Sequence, residues 1–315
     1  MTAVVEAKMG RTPIQTSPRS IVSLLMTIIE TDSMELSNTV ATSRSQLLIE
    51  AGRTERQYWR DLWRYRELFF FLAWRDLLVR YKQTVVGVSW SIIRPLLTML
   101  VLTVVFGKLG KMPSGGSPYP LLVLCGMLPW NFFSTAISDS GNSMVANSSL
   151  ISKIYFPRFI IGVSSVITSF VDFLISVLLM VGLMFWYRFV PPVSALLLPL
   201  FTLLAFSASV GIGLWIAALM VKYRDFRFIV PFIVQFGLYL SPVGFQSSIV
   251  PVRFRLLYSL NPMVGIIDGF RWSLLGAQNS LYLPALIISI IEVAVILISG
   301  VLYFRRTERT FADVI

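Results

Sequence analysis

Six long apolar stretches, separated by short polar loops, fill the chain from residue 88 to residue 304. They cover Val88–Phe106, Tyr119–Ser138, Phe159–Tyr187, Ala195–Met220, Phe228–Ser247 and Leu281–Phe304. A helix needs about 20 mostly apolar residues to cross the hydrocarbon of a bilayer. The pattern therefore predicts an all-α integral membrane domain over residues 56–315, with six transmembrane helices.

A different pattern precedes the first stretch. Over residues 57–83, Trp, Phe and Leu alternate irregularly with Arg and Lys, which predicts an amphipathic helix lying in the cytoplasmic interface of the membrane. A soluble amphipathic helix packed on a partner is the alternative. Residues 1–55 are polar and aperiodic, which predicts a mobile cytoplasmic tail. Whether translation starts at Met1 or Met34 stays open.

The net charge of +11 follows the topology and does not indicate nucleic acid. With a cytoplasmic N-terminus and six spans, the C-terminus is cytoplasmic too, and most Lys and Arg fall on that side, as in other membrane proteins. The exceptions are Lys108, Lys111, Arg188, Arg253, Arg255 and Arg271. Attraction to anionic membrane lipid is a second use of the charge.

The composition also limits the chemistry. The sequence has no His and a single Cys, Cys125, so no disulfide within the chain and no Cys- or His-based metal site is expected. No G-x-x-x-x-G-K-[ST] phosphate loop occurs, and the only Gly-Lys pair, Gly107-Lys108, is followed by Leu. We therefore expect a transport subunit without an ATPase site or cofactor of its own, driven by a partner.

Several long motifs occur in a fixed order. They are RDLLVRYKQTVVGVSWSIIRPLLTMLVLTVVFG, LLVLCGMLPWNFFSTAI, SLISKIYFPR, KYRDFRFIVPFIVQFGLYLSPV and LNPMVGIIDGFRW. From about Arg60 to Phe304 the chain resembles the permease subunit of bacterial polysaccharide ABC exporters. This ABC-2 type family exports O-antigen, capsule or teichoic-acid chains.

The resemblance implies the partners and the location. Two copies of the permease would form the pore in the bacterial cytoplasmic (inner) membrane, and two separate ATP-binding cassette subunits would bind ATP and Mg. The substrate would be a lipid-linked polysaccharide.

A short segment after the second stretch has an amphipathic character. Leu150–Phe156 follows a Ser- and Asn-rich run and ends at Pro157, which predicts either a short helix parallel to the membrane or an ordinary loop. The resemblance implies that it docks on the ATPase. The coupling residues would be Leu150, Ile151, Lys153, Ile154, Tyr155 and Phe156.

Two semi-apolar pieces lie between the fifth and sixth stretches. Residues 249–260 and 263–275 are each too short to span, and Asn261-Pro262 separates them. We expect both to enter the outer half of the membrane and return, which requires that they be buried in protein or line a cavity. The gate residues would be Arg253, Arg255, Asn261, Pro262, Asp268 and Arg271.

Aromatic side chains are the candidate channel lining, because a flat ring stacks on the C–H face of a sugar. The candidates are Phe106, Trp130, Phe132, Phe133, Tyr239 and Phe245. Membrane proteins also carry aromatic belts and packed Phe without any substrate, which is the alternative.

Charged residues near and within the spans have two readings each. Arg80, Lys82 and Arg94 suit the diphosphate of a lipid-linked glycan or, equally, lipid headgroups. For the deep acids Asp172 and Glu292, we favour structural polar contacts over proton coupling.

Three rival functions have their own requirements. An ABC-2 permease for a smaller amphiphile or drug would share the motifs. A membrane-embedded glycosyl or lipid transferase would need catalytic acids clustered at one interface, and the outer loops offer only Asp268. An ion-coupled secondary transporter should show inverted repeats, and we find none.

Overall fold

A computed structural model describes residues 55–82, 87–153, 156–276, 281–308 and Phe311. Within these residues the chain forms helices and no strands, as the apolar pattern predicts. The predicted tail lies outside the described residues, apart from its last residue.

The segment predicted as one interfacial helix forms two helices. Helix α1 covers Glu55–Arg64 and helix α2 covers Arg66–Lys82, with a turn at Tyr65. Helix α2 buries Leu72 and Ala73 on the domain and packs against the third long apolar helix. Its opposite side exposes large rings at Phe70, Phe71 and Trp74.

Among the described residues, five helices are long and apolar enough to cross a membrane. They are α3 (Gly87–Leu102, continued by a π-helical segment, Thr103–Leu109), α4 (Tyr119–Ala146), α6 (Phe159–Trp186), α7 (Leu198–Lys222, preceded by a 3-10 turn, Val193–Leu197) and α11 (Leu283–Thr307). Proline stands in the first turn of α4, α7 and α11, where its missing N–H has no helical partner to lose.

The fifth predicted stretch is shorter than expected. Helix α8 covers Phe226–Leu240, 15 residues. At 1.5 Å per residue it is about 22 Å long, less than the ~30 Å of hydrocarbon. The chain leaves the helix at Ser241, so the prediction of a continuous helix to Ser247 was wrong.

The second predicted stretch is longer than expected. Helix α4 continues through the polar run after Ser138 and ends only at Ala146. A separate helix of six residues, α5 (Ser148–Lys153), follows at once. The polar residues assigned to a loop therefore belong to a long helix, and the reason is visible in the site described below.

Between α8 and α11, two helices occupy the two predicted pieces. A 3-10 turn at Ser247–Ile249 leads to α9 (Val252–Tyr258), and α10 covers Pro262–Leu275. Asn261 caps α10, its side chain accepting the Met263 N–H at 3.0 Å, with Pro262 as the first helical residue. Asn261-Pro262 therefore ends one piece and starts the next, as predicted.

Helix α4 stands at the centre of the domain. It packs against α6, α7 and α10, while α7 packs against α11. In α4, 78% of the most apolar window is buried inside the protein, against 33% or less in the other four long helices. Helix α4 is therefore the most enclosed of the long helices, while its polar residues Asn131, Ser138 and Asn142 stay half-buried or exposed.

Candidate functional site

One side of α4 carries a stripe of uncharged polar side chains. Asn131, Ser134, Thr135, Ser138 and Asn142 recur at intervals of three or four residues, which places them on one helical face. Several hydroxyls on this stripe bond the preceding turn, as Ser138 Oγ does to the Ser134 carbonyl at 2.9 Å. The stripe satisfies part of its own hydrogen bonding and still offers polar atoms to a ligand.

A groove of about 630 Å³ runs along this polar face. Helices α3, α6 and α8 supply its other walls, with Arg80 of α2 among the lining. The uncharged polar lining consists of Ser91, Thr98, Asn131, Ser134, Thr135, Ser138, Ser169, Ser176 and Gln235. Hydroxyl and amide groups in this number can exchange hydrogen bonds with a polyhydroxylated ligand.

A second cavity, of about 880 Å³, adjoins the groove. The two share Ser138 and Pro231, and the second extends past Asn142 to Arg224 and Arg227. Arg224 lies between α7 and α8, and Arg227 lies in the first turn of α8, in the region that the charge pattern assigns to the cytoplasm. The second cavity therefore connects this region with the groove.

A charge cluster stands in the wall of the groove. Arg80 of α2 donates to Asp139 of α4 at 2.5 Å and to Asp172 of α6. Ser169 adds a hydrogen bond to Asp139 at 2.9 Å, and Tyr81 donates its hydroxyl to Asp172. One guanidinium therefore joins three helices and compensates two intramembrane carboxylates.

The electrostatics of the two α2 side chains follow from this cluster. Burial alone would lower the pKa of Arg80, but Asp139 and Asp172 outweigh it and raise the pKa. Burial, and then the hydrogen bond to Asp172, raise the pKa of Tyr81 to about 12. Arg80 stays charged and Tyr81 stays a donor across the physiological range of pH.

The predicted channel aromatics divide into three places. Trp130 and Phe132 line the groove, and Phe133 contacts Trp130 with ring centroids 5.8 Å apart. Phe106 and Phe245 lie outside the groove lining and face each other at 6.2 Å. The sixth, Tyr239 at the end of α8, is 63% exposed.

Phe132 is mostly a packing residue. Only 2% of it is exposed, and its ring contacts Phe170, Phe173 and Phe206 with centroids 5.5–6.2 Å apart. These contacts match ordinary aromatic packing in a core. Trp130 also lines the groove, but only 5% of it is exposed and it contacts Phe133, so it too is mostly a packing residue.

The predicted basic set does not form one site. Arg80 is engaged by two carboxylates, as described above. Arg94 is exposed and lines the groove from α3, and its side chain makes no ion pair with the other described residues. Lys82 is exposed at the end of α2. Arg94 is therefore the cation of this set that can meet an anion in the groove.

The deep acids differ from each other. Asp172 makes the polar contacts given above. Glu292, half-buried on α11, has an Oε2 atom without a hydrogen-bond partner among the described residues. The two acids share no partner there.

The predicted coupling residues lie on and after α5. Ile151 is 6% exposed and Phe156 is 4% exposed, so both pack inward, while Leu150 is half-buried and Lys153 is exposed. The predictions for Ile154 and Tyr155 lie outside the described residues. The segment presents a short helix whose outward face is polar.

The predicted gate residues lie in three places: the exposed Arg253 and half-buried Arg255 on α9, Asn261-Pro262 at the start of α10, and a buried pair within α10, Asp268 and Arg271. On α9, Arg253 is exposed and lies over the Phe254 ring at 4.6 Å. Arg255 donates to the Val250 and Ser248 carbonyls at 3.0 and 2.8 Å.

The buried pair, on α10, holds the non-helical segment that follows α8. Arg271, 1% exposed, donates to the carbonyls of Val243 at 2.8 Å and Phe245 at 2.7 Å. Asp268 accepts from Ser247 Oγ at 2.5 Å. Non-helical backbone at membrane depth needs such partners, because no water can supply them.

Sequence reasoning missed Asp139 and the polar stripe beyond Ser138. Polar residues after a span usually indicate a loop, so residues 139–146 were assigned to one. The available signal was the helical spacing of Asn131, Ser134, Ser138 and Asn142, which continues across the turn-favouring residues Asp139, Ser140 and Gly141. No group of three His, Cys, Asp or Glu side chains that could hold a metal occurs in the described segments.

Comparison with known protein families identifies the chain. The sequence model of the ABC-2 type transporter family matches residues 67–275, more than half of the chain. The chain belongs to the ABC-2 type transporter family. The match begins in α2 and ends with α10, so it includes the groove, the charge cluster and the buried Arg271.

Curated relatives of this ABC-2 family member cover most of its length. The O-antigen export system permease protein RfbA of Klebsiella pneumoniae is 27% identical over 79% of this chain and 95% of its own. RfbA of Myxococcus xanthus is 28% identical over 67% of this chain and 82% of its own. The polysialic acid transport protein KpsM of Escherichia coli is 20% identical over 74% and 91%.

Proposed function

We propose that this chain is the permease subunit of an ATP-driven exporter of lipid-linked polysaccharide. The relatives named for O-antigen and polysialic acid support the substrate class. The observation that carries the proposal is the groove, whose hydroxyl and amide lining suits sugar hydroxyls.

The groove of one chain supports a dimeric pore. Its volume of about 630 Å³ suits a few sugar rings and not a polymer, and the α3 and α8 walls carry exposed apolar residues such as Leu97, Leu100 and Phe232. A second copy facing these helices would turn two grooves into one channel. The remaining exposed apolar surface would face lipid.

The energy supply comes from partner subunits in this proposal. The sequence lacks a phosphate loop, and membership of the ABC-2 type transporter family supports an ATP-binding partner. Two such subunits, carrying ATP and Mg, would dock on α5 and the residues after it. The chain itself is then a transport subunit and not an enzyme.

Two features support the proposed topology of six crossings: the distribution of Lys and Arg along the chain, and helix α8 with the segment that follows it. Helix α8 together with the segment held by Arg271 would complete a sixth crossing, which keeps both termini cytoplasmic in the bacterial inner membrane. Helices α9 and α10 would then lie in the outer leaflet as the gate. Helices α1 and α2 would lie in the cytoplasmic interface, with Trp63, Phe70 and Trp74 in the acyl boundary.

The anionic end of the substrate has one candidate contact. Arg94 is exposed in the groove and unpaired among the described side chains, so it suits the diphosphate of a lipid-linked glycan. Lys82, at the membrane-proximal end of α2, suits lipid headgroups or the same diphosphate. Arg80, which is engaged by Asp139 and Asp172, contributes by holding the wall of the groove in place.

The test is genetic and biochemical. Deleting the gene should leave lipid-linked glycan inside the cell, and expressing the chain together with its partner ATPase should restore glycan at the cell surface. Normal surface glycan in the deletion strain, with no internal accumulation, would contradict the proposal. Restoration by the permease alone in a strain that also lacks the gene for the partner ATPase would contradict the need for a separate ATPase.

A further inference from the structure

Asn147 is the joint between the central helix α4 and the short helix α5. Its backbone N–H bonds the Ser143 carbonyl at 3.1 Å, which ends α4. Its own carbonyl accepts the N–H groups of Leu150 and Ile151 at 3.0 and 3.1 Å, which starts α5. One residue therefore belongs to both helices, and it is nearly buried.

The Asn147 side chain ties this joint to the interfacial helix. Its Nδ2 donates to the Ser143 carbonyl at 2.9 Å, and its Oδ1 accepts from Arg75 Nη2 at 2.7 Å. Arg75 is oriented by Asp76, to which its Nε and Nη2 donate at 3.0 and 2.7 Å. A charged, oriented donor from α2 therefore holds the start of α5.

The other end of the segment is also held. Arg158, which follows Pro157, donates to the backbone carbonyl of Glu308 and lies 5.9 Å from the centre of the Phe311 ring. Phe311 is fully buried and contacts Phe304 of α11. Asn147, before α5, and Arg158, after it, are thus each held by contacts with other parts of the domain.

We propose that Arg75 is a positioning residue that transmits movement of α5 to the wall of the substrate groove. Arg75 and Arg80 lie on the same continuous helix, five residues or about 7.5 Å apart along its axis. A displacement of Asn147 would move Arg75, and with it Arg80 between Asp139 and Asp172. The inference rests on the proposed docking of the ATPase on α5.

A role in stability alone does not account for the Arg75 contact. The Arg75 side chain is 39% exposed, and hydrogen bonds and ion pairs at such positions contribute little to folding. The end of α4 and the start of α5 already have their backbone bonds without it. The contact instead connects α2 with the junction of α4 and α5, two parts of the domain that are distant in the sequence.

The experiment measures coupling in proteoliposomes that contain the permease and its partner ATPase. The probe is a fluorescent oligosaccharide linked to a polyprenyl diphosphate, and the readout is the amount translocated per ATP hydrolysed. Arg75→Ala and Asn147→Leu should lower this ratio about fivefold or more, the lower end of typical coupling between sites. Complex assembly and the thermal unfolding temperature should stay at the parent value.

Two further variants make the test specific. Arg75→Lys keeps one charged donor and should recover part of the ratio. Arg64→Ala removes an exposed arginine of α1 that makes no hydrogen bond or ion pair with the other described residues, and should match the parent.

The proposal is overturned if Arg75→Ala and Asn147→Leu translocate as much probe per ATP as the parent. It is also overturned if Arg75→Ala loses assembly or unfolds at a lower temperature, because the contact is then structural. An unaltered complex that hydrolyses ATP but moves no probe contradicts the proposed function instead.

Discussion

A Cβ atom on Gly126 would stand 2.8 Å from Nη2 of Arg271 and 2.9 Å from the Val243 carbonyl oxygen that this arginine binds. The absence of a side chain on α4 is therefore what lets the guanidinium of α10 reach the backbone after α8. Gly126 and Arg271, which are far apart in the chain, thus pack together against the non-helical segment that follows α8.

Gly126→Ala should destabilise the domain by about 1–3 kcal/mol, the usual cost of overpacking a filled core. The measurement is thermal unfolding of the purified chain in detergent, followed by tryptophan fluorescence. Gly182→Ala is the matched control, because nothing lies within 4 Å of its Cβ position and alanine favours a helix. Equal unfolding temperatures for the two variants would show that the contact of Gly126 with Arg271 and the Val243 carbonyl is not tightly packed.

Arg271→Met should destabilise more than Gly126→Ala. It leaves the carbonyls of Val243 and Phe245 without their donor, at a cost of about 1–3 kcal/mol for each buried acceptor. Arg271→Lys should fall between, because one ammonium cannot reproduce a planar fork on two carbonyls. The same unfolding assay measures both, and a stability of Arg271→Met equal to the parent would contradict the assignment.

The Arg80 cluster predicts a non-additive pair of substitutions. Asp139→Asn and Asp172→Asn should each cost about 1 kcal/mol, because the cluster is part-exposed and Arg80 keeps one carboxylate. The double variant should cost more than the sum, because a half-buried guanidinium then has no anion. A double-mutant cycle on unfolding measures this, and strict additivity would show that the two carboxylates act independently.

The proposed topology predicts that α9 and α5 are accessible from opposite sides of the membrane. In a Cys125→Ser background, cysteine at Leu256 of α9, which is 60% exposed, should react with a membrane-impermeant thiol reagent only from outside the cell. Cysteine at Ser152 of α5 should react only from the cytoplasmic side. The two reactions are compared in intact cells and inverted vesicles, and the opposite pattern would refute the topology.

If α9 and α10 form a gate, thiol labelling of α9 should also depend on the nucleotide state of the partner ATPase. Labelling at Leu256 should change when the partner ATPase binds nucleotide, because a gate must alter its exposure with the driving subunit. Equal labelling in every nucleotide state would leave α9 as a static plug.

The sequence predicts the elements whose signals are local. The apolar run from Phe159 and the Pro-marked starts of α4 and α10 give helix positions within a few residues. It also brings Trp130 and Arg94 forward as candidates, and both line the groove. These predictions depend on composition and spacing within about 20 residues.

The errors come from contacts between distant residues. Residues 139–146 look like a loop because they are polar, yet they stay helical where Asp139 meets Arg80 and where Asn142 and Ala146 line the second cavity. Residues 241–247 look like the end of a span because they carry no charge. They stay non-helical because Arg271 supplies the hydrogen bonds that a helix would otherwise provide.

Photo-crosslinking tests most directly whether glycan passes along the polar face of α4. A photoreactive amino acid is placed at Gln235, an exposed residue of α8 on the groove, in cells that make the glycan. The control position is Leu178 of α6, which is 71% exposed and absent from the groove lining. The account predicts that irradiation attaches glycan to the chain at Gln235 and not at Leu178. Glycan attached equally at both positions, or at Leu178 alone, would contradict it.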